Sequence, residues 1–308
     1  MKVLRKILYP LVIIYFVITS VRNILYDLKL IKSKSFNFPV ISIGNLSVGG
    51  TGKTPMVEFL IRMLKNNYEL AILSRGYGRK SKGFIISNPK SSTSCLGDEP
   101  FQIKKKFPSL SVAVDSNRTR GIQTLKDLKP LTQIIILDDA FQHRRINPGI
   151  SILLTVYNDL YSDDCLLPVG NLREPIFGSK RAQIIIVTKC PEDLGSSEKQ
   201  IIEKKLNLGQ NQKLFFSSIV YDSKIYSNQK TKLLSSLINK NFTLVTGIAN
   251  SKPLVNHLRA FNFKFQHLEF PDHHHFSSNE LNLISSEKII LTTEKDFSRL
   301  NLVEHESL

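Results

Sequence analysis

The stretch GNLSVGGTGKTP, residues 44–55, decides the fold of this chain. It follows an apolar run at Val40–Ile43 that predicts a β-strand, and it leads into a helical pattern at Pro55–Leu64. Glycines allow backbone N–H groups to surround a phosphate without interference from side chains, and the dipole of the following helix attracts the anion. The stretch therefore predicts a phosphate-binding loop of the P-loop type.

Two residues of this loop have specific expected tasks. Lys53 is expected to reach the β- and γ-phosphates of a nucleotide, and the hydroxyl group of Thr54 to bind Mg²⁺. Ser47 stands where the strict pattern G-x-x-x-x-G-K-[ST] has glycine, so the loop is a variant at its first position. A glycine-rich turn that happens to precede Lys-Thr is the alternative interpretation. The residues expected to contact the nucleotide are Ser47, Val48, Gly49, Gly50, Thr51, Gly52, Lys53 and Thr54.

Two acids follow another apolar run and predict a magnesium site. Ile134–Leu137 is typical of a buried parallel strand, and Asp138 and Asp139 come directly after it. Open α/β sheets bind ligands at the carboxyl ends of their strands, where carboxylates hold Mg²⁺ beside nucleotide phosphates. A solvated turn is the alternative, because aspartate is common in turns.

Short β-branched runs alternate with helical patterns along the chain, which is typical of βαβ units. The predicted fold is α/β: a P-loop NTPase-like, mostly parallel sheet flanked by helices, with a smaller second α/β lobe. The polar stretch Tyr221–Lys240 is interpreted as the boundary between the two. The expected domains are an N-terminal membrane-associated helix at 1–34, a P-loop domain at 35–220 and a smaller C-terminal α/β lobe at 221–308.

The N-terminus carries the most apolar run of the chain, Ile7–Val21, which holds no charged residue. Fifteen helical residues rise about 22 Å, less than the roughly 30 Å hydrocarbon core, so a tilted or half-inserted anchor is expected. Residues 1–34 contain seven basic side chains against Asp27 alone, and such flanks favour an anionic membrane surface. A secretory signal and a buried first helix of the globular domain are the alternatives.

The composition excludes one class of protein, and the net charge indicates what kind of partner the chain binds. Mean hydropathy of −0.08 excludes a polytopic membrane protein. The 42 Lys and Arg residues exceed the 26 Asp and Glu residues, and the net charge of +16 indicates an anionic partner such as nucleic acid, phospholipid or a phosphorylated substrate. The three cysteines form no C-x-x-C pair, so a reducing compartment is expected.

Three further polar clusters lie on predicted loops. Gly97–Pro100 contains Asp98, which could instead cap the following helix. Asn171–Pro175 contains Arg-Glu, and Pro271–Phe276 contains three consecutive histidines. These histidines lack the i, i+4 spacing of a helical zinc site, so a general base, or a residue that orients one, is favoured over zinc.

In this order the motifs resemble the tetraacyldisaccharide 4'-kinase family, the lipid A 4'-kinases of Gram-negative bacteria. Seven motifs carry the resemblance across most of the chain, behind an N-terminal apolar segment that the family shares. They are Gly44–Pro55, Ser74–Arg79, Gly97–Pro100, Asp138–His143, Leu166–Pro175, Pro271–His274 and Thr292–Asp296.

The resemblance implies transfer of the γ-phosphoryl group of ATP to the 4'-hydroxyl of a tetraacyl glucosamine disaccharide 1-phosphate, at the cytoplasmic face of the inner membrane. It implies that Asp98 activates the acceptor hydroxyl, paired with His273, or with His274 if the local register differs. It further implies that Asp138, Asp139 and Glu174 arrange Mg²⁺ together with Thr54, with the direct ligand left open. ATP, Mg²⁺, the lipid and an anionic membrane surface are the expected partners, with no nucleic acid and no obligate protein partner.

Two other classes remain as alternatives. A P-loop GTPase or metallochaperone would use Val187-Thr188-Lys189 as the start of a guanine-reading T-K-x-D, but Pro191 stands in place of the aspartate. A nucleic-acid-binding ATPase rests on the charge alone and would need an aromatic and basic face. For the kinase, removal of residues 1–34 is expected to weaken membrane association while leaving the nucleotide site intact.

Overall fold

The computed structural model of the chain describes residues 8–227, 230–272, 274 and 276–300. The chain divides into two compact units, Met1–Ile219 and Val220–Leu308. Each unit has its own hydrophobic core, so each is described by itself.

The first unit combines one large sheet with helices. Its strands are β1 (Val40–Asn45), β2 (Leu70–Ser74), β3 (Ile85–Ile86), β4 (Ser111–Val114), β5 (Ile134–Asp138), β6 (Ile150–Val156), β7 (Ile184–Cys190) and β8 (Lys213–Ser218). Its helices are α1 (Tyr9–Asp27), α2 (Lys53–Leu64), α3 (Thr93–Leu96), α4 (Asp98–Lys106), α5 (Arg118–Leu128) and α6 (Ser196–Leu206). Short 3₁₀ helices cover Tyr161–Asp163 and Ile176–Arg181.

Within the described residues of this unit the strands form one sheet in the order β3-β4-β2-β5-β1-β6-β7-β8. Only the β3–β4 pair in this sheet is antiparallel; the other pairs run parallel, as between Val40 of β1 and Ile135 of β5. The α/β, P-loop NTPase-like fold class predicted from the sequence is confirmed. Because the strands are parallel, their carboxyl ends share one edge of the sheet, where the phosphate-binding loop begins.

The core lies on both faces of this sheet, because alternate residues of a buried strand point to opposite faces. In β5, Ile134 and Ile136 pack into one cluster with side chains of α2 and α4. Ile135 and Leu137 pack into another with side chains of α5. The apolar run that predicted this strand thus supplies both layers of the core.

Helix α1 extends the predicted apolar run and is 19 residues long. It is long and apolar enough to cross a membrane by length and composition, and 17% of its most apolar window is buried. Its buried residues are Ser20, Asn23 and Tyr26, whereas Ile13 and Ile18 are exposed. The alternative of a buried core helix is therefore wrong, because the apolar side of α1 faces outward.

The second unit has a parallel three-stranded sheet in the order β12-β11-β13 and a separate hairpin. The sheet strands are β11 (Asn241–Thr246), β12 (Lys264–Glu269) and β13 (Ile290–Thr292), and the hairpin strands are β9 (Lys224–Tyr226) and β10 (Thr231–Leu233). The helices are α7 (Lys252–Ala260), α8 (Ser278–Ser285) and α9 (Glu294–Leu300), with a 3₁₀ helix at Leu234–Leu237.

The polar stretch interpreted as a boundary, Tyr221–Lys240, is folded. It contains the β9–β10 hairpin, and Leu237 from its 3₁₀ helix lies in the core of the second unit. Each strand of this hairpin is only three residues long, and Tyr226 and Leu233 are exposed, so its sequence shows little of the apolar alternation that identifies a strand. The hydrophobic pattern of the sequence also does not predict strand β8 or helix α9.

Alanine at Gly44 is expected to destabilise the first unit. The added Cβ would lie 2.6 Å from Cβ and 2.9 Å from the backbone nitrogen of Phe141, and overpacking of this kind costs about 1–3 kcal/mol. Urea unfolding measures the loss. Gly149→Ala is the matched control, because its Cβ would lie 3.8 Å from the carbonyl oxygen of Val40. Equal stability of the two variants would contradict this packing.

Candidate active site

The phosphate-binding loop lies between β1 and α2, at the carboxyl edge of the large sheet. Gly52 precedes the first helical residue, Lys53, with a φ of +86°, a conformation that favours glycine. The helix thus begins two residues earlier than the sequence pattern indicated. Its N-terminal dipole and the loop amides are positioned as a phosphate site requires.

Residues at the end of β7 hold this loop from the other side. The Thr188 hydroxyl donates to the carbonyl oxygen of Thr51 at 2.9 Å, and the Lys189 ammonium donates to that of Gly50 at 2.6 Å. These are the residues that could have read a guanine base in the GTPase alternative. Here they anchor the loop backbone.

Lys53 lies among polar side chains that come from three other segments of the chain. Its Nζ is 3.3 Å from Asn45 Oδ1 and 3.7 Å from Asp139 Oδ1. The Arg173 guanidinium donates to both carboxylate oxygens of Asp139, at 3.2 and 2.9 Å, and also to Asn45. Burial alone would raise the pKa of Asp139, but the hydrogen bonds from Arg173 and the charge of Lys53 lower it below its usual value.

Asp138 has a different environment from its neighbour. It is 2% exposed, and burial, followed by the charges of Glu99 and Asp139, raises its pKa to about 7. Ser74 donates to its Oδ2 at 3.3 Å, whereas its buried Oδ1 has no hydrogen-bond partner among the described residues. A buried carboxylate oxygen without a donor is costly, and a divalent cation would supply the missing positive charge.

Asp138 and Asp139 fit Mg²⁺ better than a metal ion that needs three or more protein ligands. Within the described ranges no group of three His, Cys, Asp or Glu side chains could hold a metal ion. Mg²⁺ needs fewer protein ligands, because it is usually bound through one or two carboxylates, with substrate phosphates and water completing its shell. Asp138 and Asp139, beside a phosphate-binding loop, meet that requirement.

Asp98 is the first residue of α4. The cap of this helix is Gly97, so the alternative in which Asp98 acts as the N-cap is wrong. Gly97 has a φ of +87°, and a Cβ there would lie 2.6 Å from the carbonyl oxygen of Tyr77, so the Ser74–Arg79 and Gly97–Pro100 motifs pack on each other. The electrostatic influence of Glu99 on Asp138 links α4 to the acid pair.

Glu174, expected among the magnesium ligands, is engaged elsewhere. It is 2% exposed, and its carboxylate accepts two hydrogen bonds from Arg181 at 2.9 and 2.8 Å. Asn23 and Gln142 donate to the same carboxylate at 3.0 and 3.1 Å. The charge of Glu174 is thus neutralised by Arg181 and both of its oxygens are occupied, and its expected place among the magnesium ligands stays a prediction.

In the second unit, His273 lies outside the described residues, whereas His274 has a defined environment. Nε2 of His274 lies 3.1 Å from both carboxylate oxygens of Glu280. Its ring stacks on Phe270 at 5.0 Å and contacts Phe276 edge-on at 5.1 Å. These contacts fix His274 within its own unit and give it a structural role.

Comparisons with known proteins extend over nearly the whole chain. The model of the tetraacyldisaccharide-1-P 4'-kinase family matches residues 4–308. The chain is 50% identical to the tetraacyldisaccharide 4'-kinase of Flavobacterium johnsoniae over 303 residues, covering 97% of this chain and 88% of that protein. It is 48% identical to the enzyme of that name from Bacteroides thetaiotaomicron over 316 residues, covering 96% and 83%.

The chain belongs to the tetraacyldisaccharide 4'-kinase family. The family assignment made from the sequence motifs is thereby confirmed. Among solved structures, the fold is similar to LpxK from Aquifex aeolicus in complex with ATP, with a TM-score of 0.79 and 32% identity over 98% of this chain and 91% of that one.

Several residues of this kinase site escaped the sequence analysis. Asn45 and Arg173 surround Lys53, Thr188 and Lys189 hold the loop, and Glu99 acts on Asp138. Asn45 is part of the quoted motif with the loop. Glu99, Arg173, Thr188 and Lys189 lie in stretches that the sequence singled out for other tasks, and the fold brings them to the loop from far along the chain.

His143, the last residue of the Asp138–His143 motif, is partly buried near several positively charged arginines. Burial and then the charges of Arg118, Arg145, Arg22 and Arg75 lower its pKa to about 4. Its buried Nε2 has no hydrogen-bond partner in the part of the chain that the structure describes. The ring is therefore neutral at physiological pH, and the arginines around it favour an anion.

Substitution of His143 by glutamine is expected to reduce the decrease in the free energy of unfolding as the pH falls. The unfolded chain takes up a proton on this ring near its ordinary pKa of about 6.5, whereas the folded protein does so only near pH 4. Wild-type protein should therefore lose about 1–3 kcal/mol more than His143→Gln as the pH falls between these values. Urea unfolding at pH 8 provides the internal control, since both side chains are neutral there. Parallel stability curves would contradict the assignment.

Proposed function

We propose that this chain transfers the γ-phosphoryl group of ATP to the 4'-hydroxyl of a tetraacyl glucosamine disaccharide 1-phosphate in lipid A biosynthesis. The kinase activity, ATP and the lipid disaccharide follow from membership of the family. The observation that carries the assignment of the site is the convergence of Lys53, Asn45 and Asp139 beside the phosphate-binding loop.

The phosphate-binding loop, residues 47–54, is assigned to the triphosphate of ATP. Lys53 neutralises charge on the transferring phosphoryl group, and Arg173 keeps the carboxylate of Asp139 ionised and oriented. Phosphoryl transfer needs little covalent chemistry from the protein, so positioning and charge neutralisation account for most of the rate.

Thr54, Asp138 and Asp139 are assigned to Mg²⁺. The unpartnered Oδ1 of Asp138 supports its inclusion, and Glu174 is left out because its oxygens are engaged. Held there, Mg²⁺ would supply positive charge that offsets the charge developing during transfer. Asp138 and Asp139 orient it at the carboxyl edge of the sheet.

Asp98 is assigned as the group that accepts the proton of the 4'-hydroxyl, paired with His273. The link between α4 and Asp138 through Glu99 supports the place of Asp98 near the reaction. The contacts of His274 with Glu280 and two phenylalanines support the choice of His273 over His274. Asp98 thus acts as a general base that removes the hydroxyl proton, while His273 orients it.

The N-terminal segment, residues 1–34, is assigned to the cytoplasmic face of the inner membrane. The exposed apolar side of α1 supports this role, as do the basic residues around His143, which suit an anionic surface and a phosphorylated acceptor. Residues 35–220 are assigned as the P-loop kinase domain, and residues 221–308 as the smaller C-terminal lobe.

Removal of the Lys53 ammonium is expected to lower turnover about 100-fold or more, with little change in lipid binding. Transfer from labelled ATP to the lipid disaccharide 1-phosphate in detergent micelles measures turnover for Lys53→Ala and Asp98→Ala. Lys90→Ala is the control, because Lys90 is exposed on a turn and belongs to none of the motifs. Equal losses of turnover and lipid binding in Lys53→Ala would remove the lysine from its proposed task.

The two histidine positions are separated by a second pair of variants. His273→Ala is expected to lower turnover at least 10-fold with unchanged stability, because general-base assistance contributes on that scale or above. His274→Ala is expected to lower the stability of the second unit through loss of the Glu280 and phenylalanine contacts. The same transfer assay and urea unfolding measure both. The reverse pattern would assign the role to His274.

A further inference from the structure

The segment Asn171–Glu174 lies between the phosphate-binding loop and helix α1. On the loop side, the backbone N–H of Val48 donates to the Asn171 carbonyl oxygen at 2.8 Å, and that of Arg173 donates to the Leu46 carbonyl oxygen at 2.8 Å. These bonds pair the segment with the first residues of the loop in the manner of a short strand. A shift of the segment would therefore move the loop.

On the other side, two side chains of α1 fasten the same segment. The Tyr15 hydroxyl donates to the Arg173 carbonyl oxygen at 2.8 Å, and the Asn23 amide donates to Glu174 Oε2 at 3.0 Å. Asn23 is 1% exposed, so its hydrogen bond is sheltered from water. Tyr15 also packs on the apolar cluster that contains Leu46.

From this segment the contacts continue to the nucleotide site. Gln142 Nε2 donates both to Glu174 Oε1 at 3.1 Å and to the Asn45 carbonyl oxygen at 2.8 Å. The Arg173 guanidinium donates to Asn45, whose Oδ1 is 3.3 Å from Lys53 Nζ. Only a few side chains thus separate helix α1 from Lys53, the lysine assigned to the phosphates.

We propose that Tyr15 and Asn23 are positioning residues for the phosphate-binding loop, so that docking of α1 and binding of ATP are coupled. The proposal rests on the proposed function only in that the loop binds ATP. It replaces the expectation that the nucleotide site stays intact without residues 1–34, because the helix contributes hydrogen bonds to the frame of that site. Coupling is reciprocal, so ATP also stabilises the docked helix.

The test uses the full chain in detergent micelles without the lipid acceptor, with MgATP as the probe. Tyr15→Phe removes one hydroxyl, and Asn23→Leu leaves Glu174 without one of its donors. Each is expected to weaken MgATP binding, about 5-fold or more for Asn23→Leu, in isothermal titration. In a separate transfer assay that includes the lipid acceptor, the KM for the lipid should stay at the wild-type value, a split that general destabilisation would not produce.

Thr19→Val is the matched control on the same helix. Its hydroxyl donates only to carbonyl oxygens of α1 itself among the described residues, those of Tyr15 at 2.7 Å and Phe16 at 3.2 Å. This variant is expected to bind MgATP as wild type does. Partition of all variants into phosphatidylglycerol vesicles should stay unchanged, because the substituted positions are not on the exposed apolar side.

A second measurement keeps the proposal testable if Asn23→Leu fails to fold. Amide hydrogen exchange over residues 15–26 of wild-type protein should slow when MgATP is added, since the ligand favours the docked helix. Unchanged exchange, or wild-type MgATP affinity in Tyr15→Phe and Asn23→Leu, would overturn the coupling. Neither readout involves the lipid, so failure of lipid phosphorylation would count against the proposed function and not against the coupling.

Discussion

Two acids stand side by side at the carboxyl edge of the large sheet, and the site depends on the cations that offset their charge. Lys53 and Arg173 do this for Asp139, and Asn45 holds both cations in place. Asp138 lacks an equivalent donor on one oxygen, and burial with the nearby charges of Glu99 and Asp139 raises its pKa to about 7. The carboxylate of Asp139 is thus already paired with Lys53 and Arg173. Asp138 has an unpartnered oxygen for the cation that is proposed to bind with the nucleotide.

The sequence predicted those parts of the site that follow directly from the strand pattern. The loop that carries Lys53 follows β1, the two aspartates lie at the carboxyl end of β5, and the carboxyl ends of parallel strands share one edge. Glu174 could not be assigned in this way, because a carboxylate next to an arginine in sequence gives no sign that a different arginine, Arg181, neutralises it. Arg173 was hidden for a similar reason, since its partner Asp139 lies 34 residues earlier.

The second unit shows where pattern reasoning is weakest. The sequence predicts a smaller α/β lobe here, and the structure has strands β11, β12 and β13 together with helices α7, α8 and α9. The β9–β10 hairpin was missed because a strand that buries little needs few apolar residues. Likewise, no residue type could separate His273 from His274, whereas the ring contacts of His274 with Phe270 and Phe276 give it a structural environment.

The attachment of α1 also has a consequence for the order of synthesis. Its partners Arg173 and Glu174 follow Tyr15 and Asn23 by 158 and 151 residues. At roughly 5–20 residues per second, the ribosome needs about 8–30 s to supply them after the helix has been made. During that interval Tyr15 and Asn23 lack the partners that join α1 to the segment beside the phosphate-binding loop. The helix can therefore contribute to the frame of the nucleotide site only late in synthesis.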